Sequence, residues 1–415
     1  MAVRAPHLYR SLRCFCLAGF SVLSADVAAG DEIPFAFEEH ATPGSTSLYE
    51  YRPLLRSYVD TRAARLAALA DARIALEELA REPAASVYAT AHAGKRGSGD
   101  EALLRTILLP LLMDVAEACG GVDWHDEAFD RAYAAFELTL LGERRAYAAI
   151  TPVTGLSLGA GLELAEGLRI RLAAAGEIAA HWPEAGGLLP AGFGREPDRL
   201  CVLELERTLA RNEPRAPDAP GELADAVSAL RLATAAPVAA GPVLFERLDW
   251  RPLGIRPVLP IAAAEPPGEA SRLDGFRARL AGDVLAQLDA AEEDPELAEA
   301  LDRWELSLFA EEPFRSEQLR EALTALLGGP DGLWAATVRA AVLLGETGRD
   351  RADELERLRS LARGEPAGPA AADAVRKAMV ETLVHGDRVA LIELLDDALI
   401  GVRPRPAGYF AALAS

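Results

Sequence analysis

The sequence predicts an α+β fold: a mixed α and mainly β N-terminal region followed by a C-terminal all-α helical bundle. Three observations lead there. Apolar residues recur at helical spacing up to about residue 141, alternate from Arg145, and return to helical spacing after Ser271. Aromatics make up only 6% of the chain and alanine is abundant, which favours helix. The 415 residues, half of them apolar, exceed one ordinary domain, so two or three cores are expected.

Residues 1–45 read as a leader and linker. Arg4, Arg10 and Arg13 precede the apolar run Cys14 to Leu23, and Ala25-Asp26-Val27-Ala28-Ala29 follows. That is the outline of a secretory signal, but the run is short and holds Ser21 and two thiols. The alternative is a leader upstream of the first domain, and the location expected is then cytoplasmic. No later stretch is long and apolar enough to cross a bilayer; Ile107 to Val115 is short and contains Pro110 and Asp114.

Residues 46–265 read as an N-terminal α+β domain. Leu55, Val59, Leu66, Leu69, Leu76 and Leu79 place a helical stripe between Tyr51 and Arg81. Residues 93–99 form a Gly-rich loop without the residue order of a phosphate loop. Helices are expected at Asp100 to Cys119, with a kink at Pro110, and at Asp126 to Leu141. From Arg145 the pattern becomes extended: Ala146 to Leu158, Leu162 to Leu172, Leu200 to Glu206, Ala229 to Ala236 and Val243 to Leu248. Leu168-Arg169-Ile170-Arg171-Leu172 alternates as a half-buried strand does. The stretch 211–220 reads as a Pro-rich excursion, and prolines from Pro252 to Pro267 close the region with turns.

Residues 272–415 read as a bundle of about five helices. Leu297, Leu301, Trp304 and Leu308 recur at four, three and four residues. The last helix pair brackets His385, and Gly386 suits the left-handed turn past a helix end.

The net charge of −21 repels nucleic acid at long range, so RNA contact would need a local basic patch. Candidates are Arg349, Arg351, Arg357, Arg359 and Arg363, then Arg376, Lys377 and Arg388; the plainer reading is a solvated helix face paired with nearby acids. Cys14, Cys16, Cys119 and Cys201 form neither a disulfide framework nor a zinc knuckle, and the six histidines do not cluster. No metal and no cofactor are expected.

The order of features from Arg303 onward resembles the Apea-like branch of the HEPN domains, over roughly 295–400. The residues that carry it are Arg303-Trp304-Glu305, Leu319 to Leu327, Thr337 to Leu344 with its Arg339, Arg349-Asp350-Arg351, and Leu383-Val384-His385-Gly386. The resemblance implies an all-α bundle that pairs as a homodimer and, in active members, a metal-independent endoribonuclease. Such proteins often serve defence or toxin systems. Their motif is an Arg, four to six residues, then a His at the dimer interface. The histidine moves a proton at the ribose 2′-hydroxyl or leaving oxygen, and the arginine holds the scissile phosphate.

This chain departs from the motif. His385 matches, but the positions five to seven residues earlier hold Val380, Met379 and Ala378. The nearest cations are Lys377 and Arg376; at about 100° per residue Arg376 falls on the opposite helix face. The expectation is therefore a degenerate, RNA-associated or pairing module, coupled to an N-terminal part that senses or recruits. His385 is its candidate catalytic residue, and Arg376, Lys377, Arg388 and Arg339 are candidates for phosphate contact. One alternative is an active ribonuclease using His385. Another is a serine hydrolase using Ser157 in Gly155-Leu156-Ser157-Leu158-Gly159 with His181 as base, which needs a strand, a sharp turn and a helix.

Overall fold

The apolar run near the start of the chain folds into a core. The computed structural model describes residues 5–40, 48–93, 99–141, 144–174, 177–178, 182, 185–188, 201–210, 217–249, 251–257, 269–288 and 293–410. Helix α1 (Pro6–Ala28) opens with a proline, where the missing N–H has no intrahelical partner to lose. Leu8, Leu12, Phe15, Phe20 and Leu23 recur along one face and are buried. The leader expected over residues 1–45 is thus, from Pro6 on, a core helix in this fold, although its length and composition would also let it cross a bilayer.

A short antiparallel hairpin follows, β1 (Phe35–His40) with β2 (Leu48–Pro53), where an irregular linker was expected. The helical pattern after Tyr51 divides into α2 (Leu55–Asp60), α3 (Ala63–Ala67) and α4 (Ala70–Ala80), followed by α5 (Pro83–Ala93). The short α6 (Asp100–Leu103) passes through a π-helical turn, Leu104–Leu108, into α7 (Leu109–Cys119). Pro110 lies in the first turn of α7, directly after the π-helical turn, so the regular α-helix is interrupted next to the proline as expected. Helix α8 (Asp126–Leu141) ties down the polar side of α1: Tyr9 donates to Asp130 at 2.6 Å and Arg13 pairs with Asp126 at 2.6 Å. Gly19 is where α1 crosses α7; a Cβ there would meet Leu112 at 2.9 Å.

The second unit begins with β3 (Arg144–Thr154), β4 (Leu156–Leu158), β5 (Leu162–Ala165), β6 (Leu168–Leu172) and β7 (Cys201–Ala210). After helix α9 (Ala219–Thr234) come β8 (Ala239–Ala240), β9 (Val243–Leu248) and β10 (Arg251–Pro257). All but β4 form an antiparallel sheet in the order β10-β9-β3-β7-β6-β5, with β8 on the end of β3. Strand β11 (Ser271–Leu273) pairs in parallel with β4.

Residues Ala229 to Ala236, expected as a strand, belong largely to α9. Asp218 caps the helix by accepting from Gly221, Pro220 sits in its first turn, and Leu223, Val227 and Leu230 share its buried face. The end of the Pro-rich excursion was therefore a helix-start signal.

Seven helices follow among the described residues, against about five expected: α10 (Gly275–Leu285), α11 (Pro295–Phe309), α12 (Phe314–Leu327), α13 (Gly332–Leu344), α14 (Gly348–Ala362), α15 (Pro369–His385) and α16 (Arg388–Leu399). Asp294 caps α11, Asp387 caps α16, and Thr347 with Asp350 forms a reciprocal capping box on α14.

The expected boundary near residues 265–272 does not separate two cores. One buried cluster joins sheet residues such as Ala149, Leu203 and Leu244 to α9 and to the whole helical series through Leu395. A second is confined to residues 5–140, and a small third joins Ile150, Val202 and Phe245 of the sheet to Trp182. The change of core falls between Leu140 and Tyr147. Gly282 of α10 shows how closely bundle and sheet approach: a Cβ there would lie 2.5 Å from the Leu164 carbonyl oxygen.

Polar bonds cross the same seam. Arg231 of α9, 1% exposed, donates to the Val238 carbonyl and to Glu305 of α11, each at 2.8 Å. Arg376 of α15 donates to the Leu232 carbonyl at 2.7 Å. Burial disfavours both charges of the Arg231–Glu305 pair, and their mutual attraction offsets it only while both partners are present. Glu305→Ala is therefore expected to lower unfolding free energy by about 3–5 kcal/mol in guanidinium titrations. The double variant Arg231→Met/Glu305→Leu should lose much less than the sum of its singles; additive losses would show that the pair is not coupled.

Candidate functional site

Helix α15 ends where its sequence indicated. Gly386 adopts φ +80°, and its N–H reaches the carbonyls of Thr382 and Leu383. His385 is exposed at this corner, with its Nδ1 3.0 Å from the Asp387 carbonyl oxygen. Asp387 in turn caps α16 through Ala390. The imidazole is thus tied to the turn that joins the two helices.

The cations named with it all have partners inside the fold. Arg376 is buried, with its guanidinium on Asp373 and on the Leu232 carbonyl. Lys377 pairs with the same Asp373 at 3.0 Å. Arg388, 6% exposed, bonds to Asp294 at 2.7 Å, to Glu296, and to the Ala325 carbonyl at 3.2 Å. Arg339 is buried and bidentate on Asp396, at 2.7 and 2.8 Å; it also donates to the last carbonyls of α12, Leu327 and Gly328 at 2.9 Å, and to Asp331. These are the orphan acceptors that a helix end leaves, so Arg339 serves as a C-terminal cap from a neighbouring helix. Glu381, which the sequence placed one turn before His385, is buried and accepts from the backbone N–H groups of Tyr409 and Phe410.

Three arginines of α14 are also engaged: Arg357 with Glu354, Arg359 with Glu356 at 2.7 Å, and Arg351 with the Gly345 carbonyl at 3.2 Å; Arg349 and Arg363 lie exposed at its two ends. Asp373 is held below the ordinary carboxylate range: burial raises it, but the neighbouring Arg376 and Lys377 outweigh burial. The group acts as a counter-ion there and keeps both cations occupied.

Ser157 lies exposed in β4, whose parallel partner is β11, and the chain continues through a turn into β5. A nucleophile elbow needs a helix after the serine, and none follows. His181 lies outside the described residues.

One concave feature on the sheet was missed by sequence reasoning. It is a trough of about 780 Å³ on the face of the sheet opposite α9. Ala146 and Ala148 of the central strand form its floor, between Arg247 and Glu206. Beside it Glu204, 1% exposed, receives Arg169, Arg171 and Arg247. Arg171 is also bound by Glu177 at 2.5 and 2.9 Å, and Arg169 by Glu206 at 3.1 Å. The signal was in the alternation: Arg169 and Arg171 share one strand face, and Glu204 pairs in register with Arg169 across the ladder. With acids matching arginines, the trough is polar without a net charge of either sign to attract an ion.

No protein-family model, no curated protein and no solved structure matches this chain.

Three outcomes follow from these placements. Arg339→Ala takes a donor from the Leu327 carbonyl, from the Gly328 carbonyl, which keeps the Asp331 N–H, and from Asp396, so it should cost about 1–3 kcal/mol by denaturant titration. The exposed His385→Ala should stay within about 0.5 kcal/mol of wild type; a large loss would assign the imidazole a structural part. Burial pushes Glu204 up, but the hydrogen bonds from Arg171 and Arg169 hold it below its ordinary value of 4.5. A depressed carboxylate contributes stability above its unfolded pKa and loses it as pH falls through the folded one. The melting-temperature gap between wild type and Glu204→Gln should therefore be constant above pH 4.5 and shrink below it.

Proposed function

We propose that this chain is a non-catalytic HEPN-like protein whose helical half works by pairing and contact rather than by cutting RNA. The observation that carries this is the state of the cations: Arg376, Lys377, Arg388 and Arg339 each hold an internal acid, three of them also a backbone carbonyl, while His385 stands at a helix corner. Phosphoryl transfer needs a guanidinium or ammonium free to take the developing charge beside the proton-transfer group. Freeing a buried arginine here would strip a donor from the backbone carbonyl and the partly exposed carboxylate that it holds, at a cost of about 1–3 kcal/mol.

In this reading the helical half forms a homodimer and supplies any RNA contact, and the separate core of residues 5–140 senses or recruits. Defence or toxin systems are the setting that the resemblance implies. The reading keeps the chain in the cytoplasm, supported by the burial of α1 against α7 and its bonds to α8.

The test is a cleavage assay on structured and single-stranded RNA in chelator, with wild type and His385→Ala. Neither protein should cut above the buffer control. Cleavage by wild type that disappears in His385→Ala would replace this reading with the metal-independent ribonuclease.

A further inference from the structure

The trough on the outer face of the sheet has a defined floor and three walls. The floor is Ala146, exposed, and Ala148, 7% exposed, both on β3. Glu206 and Thr208 of β7 stand on one side and Arg247 of β9 on the other, two strand spacings or about 10 Å apart. The turn between β5 and β6, Ala165 to Gly167, makes the third wall. Two bonds fix that turn: the Glu206 N–H donates to the Gly167 carbonyl at 2.6 Å, and Arg207 Nη1 donates to the Glu166 carbonyl at 2.9 Å. Only glycine allows the approach, because Gly167 has φ +66° and a Cβ there would lie 2.4 Å from the Glu206 carbonyl oxygen. Beyond Glu204 the same face is closed by Ile150, Phe245 and Trp182.

Size, charge and polarity together define what fits. The volume, about 780 Å³, lies in the range of small-molecule sites. The charges on the walls are matched within the sheet: Arg247 donates to Glu204 at 2.9 Å, and Arg169 to Glu206 at 3.1 Å. A bound cation or anion would leave one charge over in a partly desolvated place. The Glu166 carboxylate lies on the exposed rim, where water and salt screen it. A wholly apolar molecule is disfavoured as well, because it takes water from Glu206, Thr208 and Arg247 and returns no hydrogen bond. The remaining class is an uncharged molecule with an apolar face and a rim that both donates and accepts. Hydroxyls do both. A ring that bears them turns its C–H face to the alanine floor and its O–H groups to the walls. Glu204, 1% exposed, already holds Arg169, Arg171 and Arg247, so little side-chain freedom is lost on binding. Hydrogen bonds to such ionised groups are the stronger kind.

We propose that the trough is a binding site for an uncharged cyclic polyol, a sugar or an inositol, lying flat on Ala146 and Ala148 between Glu206 and Arg247. Glu206 and Thr208 take the hydroxyls of one edge, and Arg247 those of the other. The site belongs to the sheet alone, so it is independent of pairing and of RNA contact.

Ligand-observed nuclear magnetic resonance and calorimetry test it. The probes are myo-inositol, glucose and maltose, with cyclohexylamine and cyclohexanecarboxylic acid as charged rings that lack the hydroxyls. The proteins are wild type, Ala146→Trp, Glu206→Gln and Thr208→Val, each checked for a native melting curve. At least one polyol should saturate wild type with a Kd at or below about 1 mM, and neither charged ring should. Ala146→Trp, which lays an indole on the exposed floor, should abolish binding. Glu206→Gln and Thr208→Val change partly exposed side chains with little change of shape, so they keep the fold; each should weaken binding at least fivefold. Failure of all three polyols to saturate wild type by about 10 mM overturns the proposal. So does equal binding of a charged ring, or polyol binding that is undiminished in the three variants.

Discussion

The contact between Arg231 and Glu305 is the constraint on which the second unit depends. It joins the helix that covers the sheet to the first long helix of the bundle, at a point where both side chains are almost wholly out of water. Ionised groups buried this deeply are tolerated only when paired and hydrogen-bonded, so α9 and α11 cannot drift apart without exposing the core or stranding a charge. Arg376 repeats the device one layer on, holding α15 to the end of α9. Around these bonds the apolar residues of sheet and helices form one cluster. The bundle is thus the second layer of an α+β unit whose first layer is the sheet.

That organisation explains why the buried arginines among the candidates, Arg376, Arg388 and Arg339, face acids and carbonyls inside the fold. In a chain with few lysines, arginine does most of the cationic work, and its planar fork suits helix-end carbonyls and carboxylates inside a fold. Arg339 and Arg388 close the end of α12 from two sides. Sequence spacing puts such residues near a histidine along the chain. It does not show that their donors already face inward.

Much of the architecture was legible. The alternation in Leu168–Leu172, the helical spacing from Leu297 to Leu308 and the left-handed glycine after His385 all appear where local chemistry placed them. The failures share a cause: each needed information from far along the chain. Residues 6–28 read as a leader because the helices that pack on them, α4, α7 and α8, lie about 50 to 100 residues later, and because their length and composition fit a core helix and a signal alike. Ala229–Ala236 looks extended because alanine marks no face, and the helix is announced only by Asp218 and Pro220 upstream. The expected domain border followed the change of periodicity, but a periodicity reports the local element, not the neighbour that it packs on. For the site, the position of His385 could be read, whereas the partners of Arg376, Arg388 and Arg339 lie up to 144 residues away.

The position of the core boundary bears on how such a gene can be cut and recombined. A shuffling event at the proline-rich stretch after β10 would hand the helices to a new neighbour while leaving behind the sheet that closes them, and neither product would keep a sealed interior. At Gly142-Glu143 the same event severs no apolar cluster. The heritable module is therefore the sheet together with its helices, and the mainly helical first third is the part free to be replaced by another domain.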